Sequence, residues 1–440
     1  MPHARCVERA VLLSSRAMPS ESSPAPGSAP PRRGLGFLGV LALGLNTIIG
    51  SGIFRLPADL ARDLGALAPL AYLVGAVVLL PVAISYARAA RACPVDGSAY
   101  AYATRAFGPR VGVVVGVSIV VATVTTWASA ASALPGQLAP SLGPRAHTAI
   151  ALAVVATLGL VAALDIRRAG RLGTPIALFK AGALVAVAAA GFFAAPTATA
   201  SRVAMAPSAF GGALLLVVFA LSGFEAAAVP GGATNRASYT LPRAILGSLL
   251  GAALVYAVLQ AALFRVVPGL ASSERPVADG AGVLFGAAAA RAVGVLGAVS
   301  IFGLGHAMAV TAPVVVRAVA GAFPHSAGAA RATRHGAALS ATLTALLVAT
   351  LDFRALVDFT SVLVMAQYAI TALAVPRLAR DDLRRVRTWV VPALATLAAF
   401  YVAAHASRLE IGIAVASILP GVALAFRRPA APDDGVDSPP

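Results

Sequence analysis

The chain has 440 residues, of which 59% are hydrophobic and only 12% charged, against about a quarter charged in an ordinary soluble domain. Its mean hydropathy of +0.85 exceeds what a soluble core can use, whereas a bilayer accepts runs of about 20 apolar residues as helices that satisfy their own backbone hydrogen bonds. The formal net charge of +17 raises the question of nucleic acid, and the placement of the charges answers it below.

In chain order, residues 1–33 read as a Ser/Pro/Ala-rich disordered tail, too poor in apolar residues to fold by itself. Met18 is an alternative start within it. Hydropathy then predicts twelve spans, near 35–57, 67–86, 111–134, 148–164, 175–194, 211–231, 246–267, 284–319, 336–351, 356–375, 389–404 and 411–426. A second tail covers 427–440. The transporter-like region 34–426 divides into two five-helix repeats, about 35–200 and 208–378, followed by two further helices at about 387–426.

With these spans the Arg groups 88/91/105/110, 167/168/171 and 377/380/384/385/387 all fall on one side. Cationic loops stay cytoplasmic, so the basic excess is an orientation signal. The expected protein is multi-pass in the inner membrane, with both termini cytoplasmic, the lipid bilayer as partner and no nucleic acid. Cys6 and Cys93 share the cytoplasmic side, so no disulfide is implied.

The first span contains Gly50-Ser51-Gly52 near its middle. Each Gly costs a helix roughly 1 kcal/mol relative to Ala, so a span that only crosses has no use for them. Either small residues let helices touch, the role expected of Gly112/Gly116 and Gly247/Gly251, or the helix unwinds where it lines a cavity. The sixth span has a matching candidate in Phe219-Ala220-Leu221-Ser222-Gly223-Phe224-Glu225. Five spans per repeat is an odd number, so the two repeats run in opposite senses and the two breaks meet at the midplane. A half-helix starting at the first break offers N–H groups and the Ser51 hydroxyl to a carboxylate. A half-helix ending at the second offers carbonyls at Phe219, Ser222 and Gly223 to an ammonium group.

At this point the sequence resembles the amino acid–polyamine–organocation superfamily of permeases. Ile48-Ile49-Gly50-Ser51-Gly52-Ile53-Phe54 with Pro57 looks like its IGSGIF signature, and Pro94-Val95-Asp96-Gly97-Ser98-Ala99-Tyr100-Ala101-Tyr102 is similar to its P-x-x-G-G/S-x-Y-x-Y segment. Ser222-Gly223-Phe224-Glu225, Asn235-Arg236 and Leu241-Pro242-Arg243-Ala244-Ile245 resemble its GFE…N-P…I-P-R-A-I pattern. The resemblance implies an all-α membrane protein of about twelve transmembrane helices. These form a leucine-transporter-like five-plus-five inverted repeat with two extra C-terminal helices, working by alternating access. It places the substrate carboxylate on Ile48, Ser51 and Gly52 and the amine on Phe219, Ser222 and Gly223, with the Phe219 ring either a gate or a core side chain. Two departures bear on gating at the cytoplasmic face: Arg88 stands where relatives often have an acid, and Pro230-Gly231-Gly232 replaces the usual acidic pair.

Lys180 is the only lysine of the chain and lies inside the fifth span, where a charge costs about 2.5–3.5 kcal/mol on insertion scales. It either snorkels to the interface or, as the resemblance implies, sits where spans one, five and eight meet and couples transport to H⁺, since a desolvated Lys, unlike Arg, can release its proton. Glu225 either fills hydrogen bonds opened by the sixth-span break or contacts a proton or amine in the path. His306 reads as a helix-packing residue, and Thr123, Thr125, Thr126 and Gln367 are polar candidates for the pocket wall. Gly34-Leu35-Gly36-Phe37-Leu38-Gly39 has GxGxxG spacing but follows no strand, so no dinucleotide site is implied. Without an HExxH, GxSxG or paired-Cys motif an enzyme has no constellation to support it, and no cofactor is expected. A secondary transporter of amino acids, H⁺-coupled or exchanging, is the expected function. A polyamine or choline carrier on the same fold and a non-transporting sensor remain the alternatives.

Overall fold

A computed structural model describes residues 35–163, 173–196, 207–323, 329–380 and 384–427. Both terminal tails and the Arg167/Arg168/Arg171 group lie outside them. Among the described residues, nine helical stretches are long and apolar enough to cross a membrane, and further apolar helices are shorter.

The first span is two helices, α1 (Phe37–Ile48) and α2 (Ser51–Leu64), and α3 (Ala68–Ala92) follows. A short helix α4 (Ser98–Phe107) leads into α5 (Pro109–Leu138), then α6 (Pro144–Ala163) and α7 (Gly173–Phe193). The sixth span begins as α8 (Pro207–Leu221), turns at Ser222-Gly223, and resumes as a 3-10 segment over Phe224–Ala228. After it come α9 (Ala237–Val266), short α10 (Pro276–Phe285), α11 (Ala287–Gly321), α12 (Ala329–Thr350) and α13 (Phe353–Leu378). The last two are α14 (Val386–Ala403) and α15 (Arg408–Ala425). All twelve expected spans have a helical counterpart; α4 and α10, ten residues each and too short to register as spans, are additions.

Those additions reveal the internal repeat. Each half has a broken span, a long helix, a ten-residue helix and then the longest helix of that half. The short helix ends in Phe-Gly both times. Gly108 (φ 89°, ψ 171°) and Gly286 (φ 86°, ψ 177°) adopt the same backbone, and each donates its N–H to the carbonyl four residues back, at 2.9 Å. Positive φ is what Gly alone adopts without strain. Corresponding helices pack on each other: α2 on α8, α3 on α9, α5 on α11 and α6 on α12. The later pair packs outside this arrangement, α14 against α13 and α3, α15 against α5 and α13.

The expected close-packing glycines divide. An added Cβ at Gly112 would strike Thr104, and one at Gly116 would strike Val319 and Tyr100. Gly247 has only ordinary contact with Leu41, and Gly251 faces open space, so at Gly251 the small residue serves no contact.

Each end of the bundle is tied. At the α1 end, Leu35 pairs with the loop after the sixth span, its N–H donating to Ala233 O (2.9 Å) and its carbonyl accepting from Asn235 N (2.9 Å). The Pro230-Gly231-Gly232 turn lies on the loop before α4. Gly232 N–H donates to Asp96 Oδ1 (3.0 Å), and a Cβ on Gly231 would come within 2.5 Å of Val95 O. Gly231 thus allows a backbone-to-backbone approach that a side chain would block. At the other end, Arg354 at the start of α13 pairs with Asp63 at the end of α2 (2.6 Å), and Arg62 with Asp59 (2.9 Å).

Candidate functional site

The two breaks face each other across a very small distance. A Cβ on Gly52 would lie 3.0 Å from Ala220 Cα, and one on Gly223 would lie 2.9 Å from both Ile48 N and Thr47 C. Gly223 also sits at φ 115°. Glycine at these positions lets two interrupted backbones approach more closely than any side chain would allow.

At the first break Ile49 and Gly50 leave the helix and α2 restarts at Ser51. The first amides of a helix have no partner inside it. Among the described residues the N–H groups of Ser51, Gly52 and Ile53 find no acceptor elsewhere. The Ser51 hydroxyl, fully buried, is also unpartnered. The start of α2 therefore presents a cluster of hydrogen-bond donors, with the positive end of the helix dipole behind them.

The carbonyls ending α1 are mostly taken. Lys180 on α7 is 2% exposed and donates to Ile49 O (2.9 Å) and Asn46 O (3.4 Å). Ser300 on α11 donates to the same Ile49 O (2.9 Å). Ile48 O accepts from Gly50 N (2.8 Å) and from the Tyr256 hydroxyl (3.0 Å). The Lys180 ammonium group thus sits at the junction of spans one, five and eight, against the end of α1 and the break that follows it.

The second break differs in detail from the expectation that Phe219, Ser222 and Gly223 carbonyls stand bare. Phe219 O accepts from the Ser222 hydroxyl (2.8 Å) and Gly223 O from Ala226 N (3.0 Å). A polar side chain at a helix end folds back on the nearest carbonyl, and the 3-10 turn takes the next. Among the described residues no donor reaches Ala220 O, Leu221 O, Ser222 O or, across the gap, Thr47 O. Of the three expected carbonyls Ser222 O stays free, and Ala220 O, Leu221 O and Thr47 O stand beside it. Phe219 itself is buried.

Glu225 makes the contacts of a capping group. Its Oε2 accepts from Gly223 N (2.9 Å) and from the Tyr368 hydroxyl (2.8 Å). Around it Tyr86, Tyr102, Phe224 and Tyr368 are fully buried and meet largely edge to face, Tyr86 with ring centroids 5.5 Å from Tyr368 and 6.0 Å from Phe224. This aromatic layer closes the space on the α4 side of the breaks.

The polar wall candidates are largely occupied. Thr123 and Thr126 bond back to Ile119 O and Ala122 O of their own helix. Thr125 pairs with Thr360 (2.8 Å) and Ser118 with Gln367 (3.2 Å), tying α5 to α13. His306 is half-buried on α11. Sequence reasoning missed Tyr256, Ser300 and Tyr368; the available signal was a polar group inside an apolar span, which is expensive unless it has a partner.

Residues 35–426 match the family model described as amino acid permease. The chain belongs to the amino acid permease family. An uncharacterized transporter of Mycobacterium tuberculosis is 43% identical over 98 residues, covering 22% of this chain and 20% of that protein. The branched-chain amino acid permease BcaP of Bacillus subtilis is 26% identical over 261 residues, covering 54% of this chain and 56% of its own. The alignments thus span about a fifth and just over half of those relatives. Among solved structures, a manganese transporter of Eremococcus coleocola superposes with a TM-score of 0.57 at 14% identity, over 89% of this chain and 93% of that one. At that identity the likeness concerns the fold alone. Among the described residues, nine helical stretches long and apolar enough to cross a membrane fit that family of permeases.

Proposed function

We propose that this permease carries α-amino acids across the cytoplasmic membrane by alternating access, with H⁺ as the coupling ion. The observation that carries the reading is the pairing of opposite backbone ends at the two breaks. Ser51, Gly52 and Ile53 offer N–H donors and the Ser51 hydroxyl, while Ala220, Leu221 and Ser222 offer carbonyls. A zwitterion satisfies both ends: its carboxylate takes the helix N-terminus and its ammonium group the carbonyls. Polyamines and choline lack a carboxylate and would leave the donor end bare. Among the described residues the charged groups at the breaks, Lys180 and Glu225, are engaged with this chain's own backbone, which favours substrates with uncharged side chains. The relative BcaP, named for branched-chain amino acids, agrees with that chemistry.

In the orientation set by the Arg distribution, the Leu35–Thr234 bridge lies at the cytoplasmic face and the Arg354–Asp63 pair at the outer one. Opening the substrate path to either side breaks one of these ties and keeps the other. Lys180 supplies the coupling: protonated, it holds Ile49 O and Asn46 O; neutral, it grips them less and frees the first span to move.

Saturable uptake of labelled amino acids into proteoliposomes tests the reading. A panel of twenty competitors should show inhibition by several uncharged amino acids, and none by putrescine or choline. Absence of saturable uptake or exchange for every amino acid overturns it. Glu225→Gln separates the two roles of that carboxyl. Its amide oxygen still accepts from Gly223 N and Tyr368, so uptake is expected within about threefold of wild type with an unchanged pH profile. A displaced profile instead makes Glu225 a proton carrier.

A further inference from the structure

The two halves of the first span are joined covalently only through Ile49 and Gly50, and the break removes the helical hydrogen bonds that would otherwise hold them in line. Something else has to fix the angle between α1 and α2, because that angle sets where the Ser51–Ile53 amides point. One face of α9 runs across the break and touches both halves. On the α1 side Ser248 packs on Gly44, where a Cβ would come within 2.9 Å of its Oγ. Next, the Tyr256 hydroxyl donates to Ile48 O (3.0 Å), the last helical residue before the break. One turn further along α9, Gln260 Nε2 donates to Pro57 O (3.0 Å), seven residues beyond Gly50 in α2. Tyr256 and Gln260 are both fully buried. Tyr72 of α3 stacks edge-on against Tyr256 with ring centroids 5.6 Å apart, which fixes the hydroxyl. These are neutral donors at separations of 208 and 203 residues, unlike Lys180, whose hold on Ile49 O changes with its proton.

We propose that Tyr256 and Gln260 are positioning residues of the substrate site, an α9 brace that holds the two halves of the broken first span at the angle that aims the Ser51–Ile53 amides at the substrate carboxylate. The brace rests on the reading of that helix start as the carboxylate site. It contributes through geometry and touches no substrate. Losing one rung lets α2 tilt relative to α1, so substrate affinity falls while the machinery for turnover stays in place.

The test uses the full-length permease in proteoliposomes, with Tyr256→Phe, which lacks only the hydroxyl, and Gln260→Leu, which replaces the amide by methyl groups, beside Gly303→Ala as a control at a position where a Cβ meets nothing within 4 Å. KM for the best amino acid of the panel should rise about tenfold in each brace variant, as expected for one lost hydrogen bond. Vmax should stay within about threefold, and the pH profile should be unchanged. The double variant should exceed either single one. A wild-type KM in both variants overturns the brace, as does a fall in Vmax and thermal midpoint at constant KM, the signature of a purely structural role. If wild type itself takes up no amino acid, the failure belongs to the proposed function and not to the brace.

Discussion

Lys180→Ala is expected to reduce proton-driven uptake to background. The substitution removes the ammonium group from Ile49 O and Asn46 O, 2.9 and 3.4 Å away, at a site that is 2% exposed. Asn46 O then has no side-chain donor, and an unsatisfied buried group costs about 1–3 kcal/mol. Ser300 still reaches Ile49 O, so the break survives in weakened form, without a titratable group beside it. Lys180→Arg distinguishes charge from proton release: guanidinium keeps the charge but does not give up its proton, and uphill uptake should fail there too. The measurement is initial uptake under an imposed inward proton gradient, with and without a protonophore. Gradient-dependent uptake at the wild-type rate in Lys180→Ala overturns the coupling role.

A second large effect is expected at Gly223, where Ala should lower uptake at least a hundredfold. Its φ of 115° lies where L side chains are strained by about 1–3 kcal/mol. Its Cβ would also stand 2.9 Å from Ile48 N and Thr47 C, backbone atoms that cannot rotate aside as a side-chain tip can. Strain and overpacking add at one residue, and about 3 kcal/mol corresponds to two orders of magnitude in a binding constant. Gly52→Ala gives a graded comparison, since its Cβ would meet Ala220 Cα at 3.0 Å without positive φ. It should lose less, about tenfold. Wild-type uptake by Gly223→Ala would mean that the two breaks do not need their close approach.

The positions of the breaks were legible because a lone Gly-Ser-Gly in an apolar span has a cost and few uses. That local argument located the departures at Ile49-Gly50 and Ser222-Gly223 to within a residue or two. Which carbonyls stay free was not legible. Ser222 folds onto Phe219 O, and the 3-10 turn takes Gly223 O, choices made by turn geometry after the helix stops. Lys180 was singled out by its uniqueness, yet its partners, Ile49 O and Asn46 O at 131 and 134 residues away in sequence, were not legible. The partners of Glu225, Gly223 N and the Tyr368 hydroxyl, were equally hidden. The polar wall residues Thr123 and Thr126 looked available for a ligand but spend their hydroxyls on their own helix.

By itself the sequence indicated a bilayer protein, the places of its long apolar helices and where two of them fail. Those follow from apolar run lengths and from the intrinsic cost of Gly, both properties of neighbouring residues. Only the tertiary structure decided that the failures meet face to face, that α9 spans the first of them, that Tyr256, Gln260 and Ser300 bond the backbone of the first span, and that Tyr368 bonds the Glu225 carboxyl. Inside a membrane a freed N–H or carbonyl needs a partner, from the protein or from what fills a cavity. Which helix supplies that partner depends on packing between segments a hundred or more residues apart, and no local pattern encodes it.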